Sequence, residues 1–163
     1  MNARFATILF TPLLFATQQA IAQPRIDVEF VKPEGFSDIY PSGRTGTKRE
    51  LDGTLEALRK IVVDAGSKAL KTGDELKLEV LDVNLAGDYP PSQSLSREIR
   101  VMRNIDWPSM KVRYTLKRDG KVTNGEALIS DMSYLMSGSS CPGSEGLCYE
   151  RRMVERWFRK DLH

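Results

Sequence analysis

Residues 110–130 read MKVRYTLKRDGKVTNGEALIS, and the reading of this stretch decides the fold. Met110, Val112, Tyr114 and Leu116 alternate with Lys111, Arg113, Thr115 and Lys117, the period-2 pattern of a strand with one buried face. Asp119-Gly120 then supplies a two-residue turn, because aspartate and glycine tolerate the positive φ angles that such a turn demands. Lys121 to Ser130 is the returning strand, so the pair is an antiparallel hairpin preceded by Trp107-Pro108.

Upstream, Arg25 to Val31 alternates in the same way, with Ile26, Val28 and Phe30 on one face. Lys32 to Gly46 carries Pro33, Gly35, Pro41, Gly43 and Gly46 and reads as a long surface loop. Thr47-Lys48-Arg49-Glu50 is a capping box, in which the Thr47 hydroxyl accepts from the Glu50 amide and the Glu50 carboxylate reaches back to Thr47. Behind it Leu51, Leu55, Leu58, Val62, Ala65 and Ala69 form one helical stripe. Gly53 and Gly66 each weaken such a helix by about 1 kcal/mol relative to alanine, so packing must hold it. Gly73 is placed to end it.

Asp74 to Leu85 is a further strand, in which Leu76, Leu78 and Val80 share one parity and Leu81, Val83 and Leu85 the other. Either a bulge near Val80-Leu81 resets the register, or Asp82 and Asn84 point to the apolar side. Gly87 to Ser96 is a loop, and Glu98 to Arg103 a short strand around Ile99 and Val101. From Leu147 to Leu162, Tyr149, Met153 and Trp157 make one helical row and Val154 and Phe158 a second. The order strand, helix, four strands, helix predicts an α+β fold: an antiparallel sheet of about five strands with two helices packed on one face.

The chain opens with Arg4, a twelve-residue apolar stretch from Phe5 to Ala16, and Ala20-Ile21-Ala22 as a small-residue cleavage site. That is the layout of a cleaved export signal over residues 1–22, leaving residues 23–163 as one domain in the periplasm or outside the cell. No later stretch is long and apolar enough to cross a bilayer. The remainder holds 23 Lys and Arg against 22 Asp and Glu, which gives no global attraction to nucleic acid. In an oxidising compartment Cys141 and Cys148 are expected to pair. Their spacing matches neither a Cys-x-x-Cys redox motif nor a zinc knuckle, and no histidine lies near.

Histidine is the informative absence. His163 is the only one in the chain, so Ser-His-Asp and Cys-His schemes lack a base and histidine-built zinc sites are excluded. Acid–base chemistry would fall to carboxylates, with Asp82 and Asp131 the candidates and Glu126 a third. Asp82, Asn84 and Asp88 resemble a calcium loop in composition, but the twelfth position is Gln93 rather than glutamate. No metal and no cofactor is expected. The last helix carries Arg151, Arg152, Arg156, Arg159 and Lys160 among Glu150, Glu155 and Asp161. It reads as a docked helix with a charged outer side, able to meet an acidic partner or an anionic surface.

Val28-Glu29-Phe30-Val31-Lys32-Pro33-Glu34-Gly35-Phe36-Ser37-Asp38, Val80-Leu81-Asp82-Val83-Asn84-Leu85-Ala86-Gly87 and Trp107-Pro108 recur in order with Ser130-Asp131-Met132-Ser133-Tyr134, Tyr149-Glu150-Arg151-Arg152-Met153 and Trp157-Phe158. On these stretches the chain resembles a bacterial family of exported proteins catalogued as domain of unknown function 3016. The resemblance implies a signal-bearing envelope protein and carries over no catalytic residue, because the family has no assigned activity. The expected function is a non-catalytic binding or envelope-accessory domain, whose partner is an envelope protein or an anionic surface. The alternatives are a carboxylate hydrolase led by Asp82 and Asp131, and a membrane-surface module built on the last helix.

Overall fold

Hydrophobic periodicity resolves into four strands and two helices in a computed structural model that describes residues 23–43, 45–89, 100–136, 141 and 146–162. The expected export signal lies outside the described residues. The strands are β1 (Arg25–Phe30), β2 (Glu75–Asn84), β3 (Ser109–Arg118) and β4 (Lys121–Ser130), and the helices are α1 (Lys48–Ala69) and α2 (Cys148–Asp161).

The four strands form one sheet in the order β1-β2-β3-β4, and its two outer pairs differ in direction. β1 runs parallel to β2, with Val28 opposite Leu78, while β2–β3 and β3–β4 are antiparallel. The sheet is therefore mixed and four-stranded rather than antiparallel and five-stranded. The reason is α1: a 22-residue helix between β1 and β2 carries the chain back to the end where β1 began, and such a crossover is what parallel pairing requires. The expected strand at Glu98–Arg103 falls partly outside the described residues. Within them Val101 makes a single bridge to Asp88.

The parity conflict in β2 resolves as a bulge. Register shifts between Val80 and Asp82, so Leu76, Leu78, Val80 and Val83 all face inward and are buried. Met110, Val112 and Leu116 of β3 and Ile129 of β4 continue that face. Leu58, Ile61, Val62 and Ala65 of α1 and Met153, Val154, Trp157 and Phe158 of α2 cover it. Trp157 stacks edge-on against Tyr114, with centroids 5.8 Å apart, and Tyr114 lies across Gly125, where a Cβ would come within 2.6 Å of its hydroxyl. Trp107 is only half-buried and stands outside this cluster. The opposite face of the sheet is open to solvent and laced with ion pairs such as Arg113–Glu79 at 3.1 Å.

The capping box forms in one direction. Thr47 Oγ1 accepts from the Glu50 amide at 3.2 Å, but the Glu50 carboxylate turns to Ser42, whose amide and hydroxyl donate at 3.0 and 2.5 Å. Glu50 thereby ties the preceding loop to the helix start. No helix among the described residues is long and apolar enough to cross a membrane.

Candidate functional site

The three acids singled out by the sequence each engage a different partner. Asp82 accepts from the Ser37 amide at 2.7 Å and its hydroxyl at 2.6 Å, which pins the segment after β1 against the β2 bulge. Asp131 is buried and accepts from Arg156 Nη1 at 2.8 Å and from the Ser133 amide at 3.2 Å, capping the turn that leaves β4. Its second oxygen has no hydrogen-bond partner among the described residues. Glu126 is spent on Arg113 across the open face of the sheet, at 2.9 Å. Among the described residues Asp82 and Asp131 share no hydrogen-bond partner. Asn84 and Asp88, the other members of the calcium-like run, are held by the Trp107 carbonyl and by Arg103. No group of three His, Cys, Asp or Glu side chains among the described residues is arranged to hold a metal ion.

Two residues that sequence reasoning passed over organise one end of the domain. Arg100 donates from Nη1 and Nη2 to both oxygens of Asp38, at 2.7 and 2.9 Å, and also to the carbonyls of Gly87 and Tyr40, each at 2.9 Å. Its guanidinium lies 4.7 Å from the centre of the Tyr89 ring. Glu150, in the first turn of α2, accepts from the Ala86 amide at 2.7 Å. Burial pushes its carboxyl above the usual range, against the Ala86 hydrogen bond that favours the charged form. One signal for Glu150 was present: it falls on the same helical row as Met153, Val154 and Trp157, where only an apolar residue or a partnered acid fits. Nothing in the local pattern distinguished Arg100 from any other strand-flanking cation.

Two clefts lie at this end of the domain, one lined by Asp38 and the other by Arg100 and Glu150. One, of about 470 Å³, is polar and lined by Ser37, Asp38, Asn84, Asp88, Tyr89 and Asp106. Its acids are satisfied in place, since Asp38 pairs with Arg100 and both Asp88 and Asp106 with Arg103. The other, of about 390 Å³, is mostly apolar and runs between Leu85, Met102, Leu147 and Tyr149 beside Cys141 and Cys148. The two cysteine sulfurs stand at disulfide distance, 2.01 Å, with their Cα atoms 5.8 Å apart.

The basic residues of α2 take the outer half of the helix. At about 100° per residue, Arg151, Arg152, Arg156, Arg159 and Lys160 fall on one arc, opposite the buried arc of Met153, Val154, Trp157 and Phe158. Their roles divide. Arg156 is committed to Asp131, whereas Arg151, Arg159 and Lys160 are exposed. Glu155 interrupts the arc and pairs with Lys68 of α1 at 3.7 Å. Beside the arc lies a turn with three exposed apolar side chains, Met132, Leu135 and Met136, at 66%, 39% and 81% exposure. Tyr134, at the centre of that turn, is buried. Its hydroxyl donates to the Arg103 carbonyl at 2.8 Å and its ring meets Tyr149 of α2 edge-on at 4.9 Å. Arg103 in turn leads into a second apolar tip, Ile105, which is 69% exposed. The Asp131–Arg156 and Tyr134–Tyr149 contacts thus fix the 132–136 turn against α2, and the Tyr134–Arg103 bond ties it to the segment that carries Ile105.

Against known proteins, the sequence model of the family described as protein of unknown function (DUF3016) matches residues 24–160, so the chain belongs to that family. No curated protein and no solved structure matches it.

Proposed function

We propose that this member of the family acts as an exported, non-catalytic binding domain of the cell envelope. Its contact surface is the outer arc of α2 together with the turn at residues 132–136. The observation that carries the reading is the exposure of Met132, Leu135 and Met136 on a turn that is anchored at its start and at its centre. Asp131 is bonded to Arg156, and Tyr134 is packed on Tyr149. A grouped set of exposed large apolar side chains on a small domain marks an interaction site, and here a cationic rim borders it. The engagement of Asp82 by Ser37 and of Asp131 by Arg156 supports binding over carboxylate catalysis.

The test is crosslinking in intact envelopes followed by identification of what is captured. The full chain is compared with a variant carrying Arg151→Glu, Arg159→Glu and Lys160→Glu, and with Met132→Ser/Met136→Ser. The reading expects a defined crosslinked species that both variants lose while their thermal melts stay close to the parent. Salt-sensitive sedimentation with anionic vesicles would identify the partner as a lipid surface instead of a protein. A parent chain that captures nothing and sediments with nothing overturns the proposal, as does an intact Met1 recovered from the cytosol.

A further inference from the structure

The two edges of the sheet end differently. In β1 the amides of Arg25 and Val31 donate to Asp74 and Val80 at 2.9 Å, so odd-numbered residues bond inward and Val28 turns its peptide groups outward. That outward carbonyl is occupied, because the Arg59 guanidinium of α1 donates to it. β1 is also only six residues long, a short edge of the kind that native sheets tolerate.

β4, the other edge, is ten residues long, contains no proline and pairs with β3 without a register break. Asp119 and Gly120 both have positive φ, which makes Arg118 and Lys121 the hydrogen-bonded pair that closes a two-residue turn. Odd-numbered residues from Lys121 onward therefore bond to β3, and the peptide groups of Val122, Asn124, Glu126 and Leu128 point away from it. Among the described residues no backbone group outside the hairpin bonds to them. α2 lies over the helix-facing side of β4, where Ile129 joins the core, whereas these four residues carry their side chains on the open face. There Val122 and Leu128 are 59% and 71% exposed.

Val122 and Leu128 stand symmetrically about Gly125. An antiparallel copy of β4, related by a two-fold axis at Gly125, sets Val122 opposite Leu128 of the copy and Asn124 opposite its Glu126. All four outward residues then meet outward residues, and each brings its N–H and its C=O to the pairing. Asn124 accepts from Thr115 through Oδ1 at 2.7 Å, which leaves its amide hydrogens for Glu126 of the copy. The neighbouring registers lack this match. An axis at Glu126 puts two carboxylates face to face, and an axis at Asn124 sets Val122 against Glu126.

We infer that β4 pairs with β4 of a second copy of this chain, antiparallel about Gly125, and joins the two four-stranded sheets into one. Main-chain hydrogen bonds hold the edges together, and two Val122–Leu128 contacts cover the exposed apolar side chains of the open face. That contact is what selects a second copy, since one strand supplies both halves of it. The pairing uses β4 and not the 132–136 turn, so this inference and the binding reading above can fail independently.

The test is sedimentation of the purified protein over a concentration series, with amide exchange followed by NMR at both ends of the series. A monomer–dimer equilibrium in which the amides of Val122, Asn124, Glu126 and Leu128 gain protection with concentration supports the inference. Val122→Lys and Leu128→Glu should each weaken the dimer at least about tenfold. Together they place opposite charges across the axis and should recover most of that loss, which a general effect on solubility does not do. A chain that stays monomeric to its solubility limit overturns the inference. So does a dimer whose four amides exchange as in the monomer, one that tolerates either single variant, or a double variant no stronger than the singles. Protection of those amides that appears only on adding envelope extract gives the edge to another protein and also overturns it. Should a variant fail to fold, amide exchange of the parent still decides.

Discussion

Arg118 grips the buried carboxylate of Asp74 from the far end of the neighbouring strand, with Nε 3.0 Å and Nη2 2.8 Å from the same oxygen. Nη2 also donates to the Leu162 carbonyl at 3.0 Å, and the Lys71 amide donates to Asp74 at 2.8 Å. One ion pair therefore joins the start of β2, the end of β3 and the end of α2, and it closes the sheet against the helix layer on the side away from Arg100.

That pair sets an acid limit on stability. The Arg118 hydrogen bonds hold the Asp74 carboxyl below its ordinary value, outweighing burial. A depressed folded-state pKa means that the contribution is complete above the ordinary aspartate value, about 3.9, and disappears as pH falls through the lower folded value. Arg118→Ala is expected to cost about 2–3 kcal/mol at neutral pH, less than a fully buried pair because Arg118 is partly exposed. Urea melts of parent and variant should converge below about pH 4. A gap that stays constant from pH 7 to pH 3 would show that the pair is not what holds this corner.

Glu150 has the opposite slope. Its folded carboxyl is raised, chiefly by burial, so the folded state resists ionisation, and stability falls as pH climbs from the ordinary glutamate value through the folded one. Glu150→Gln keeps an acceptor for the Ala86 amide and removes the charge. It should therefore gain on the parent as pH rises from 4 to 8. Glu150→Ala leaves that buried amide unpaired and is expected to lose about 1–3 kcal/mol near pH 4, a deficit that shrinks as pH rises because the same charge is removed. Melting temperatures of the three proteins across this range distinguish a proton-linked residue from a purely geometric one.

The two glycines of α1 make a paired prediction with opposite signs. A Cβ on Gly53 meets nothing within 4 Å, so Gly53→Ala should stabilise by about 0.5–1 kcal/mol through helix propensity. A Cβ on Gly66 would lie 2.6 Å from Ile26 Cδ1 and 3.1 Å from the Phe158 ring of α2. Gly66→Ala should destabilise by about 1–2 kcal/mol despite the same propensity gain, because the site is overpacked. Chemical denaturation of both variants settles it; equal signs would mean that the helices separate freely.

This contrast also marks what the residues announce and what they withhold. Local patterns were legible: the Thr47 cap, the α1 and α2 stripes, the Asp119-Gly120 turn, and the β2 bulge as one of two readings. Each depends on neighbours within a few positions. The direction of β1 was not legible, because its own alternation is the same whether it pairs parallel or antiparallel. Gly66 looked like a defect, although its absent side chain is what admits Phe158. The Arg100–Asp38 pair spans 62 residues, and no spacing rule reaches that far. The basic residues of α2 were read as one surface, yet Arg156 belongs to Asp131, an assignment that only three-dimensional packing supplies.

The start of α2 offers the last test, because so little local chemistry caps it. Leu147 precedes the helix in the left-handed region, at φ 60, and makes no side-chain capping bond. The first turn is held instead by tertiary ties: Cys148 to Cys141, Tyr149 to Tyr134, and Glu150 to the Ala86 amide. An eight-residue ring is worth about 2.5 kcal/mol in the chain-entropy account, so reduction of the bridge, or Cys141→Ser with Cys148→Ser, should lower stability by up to that amount. The loss should also be local before it is global. Amides of Tyr149 to Arg151 and of Ala86 should exchange faster, while those in β3 keep their protection, because the core strands do not depend on the bridge. Uniform acceleration across β3 would mean that the bridge supports the whole domain. No change at Tyr149 would mean that the aromatic pair and Glu150 suffice without it.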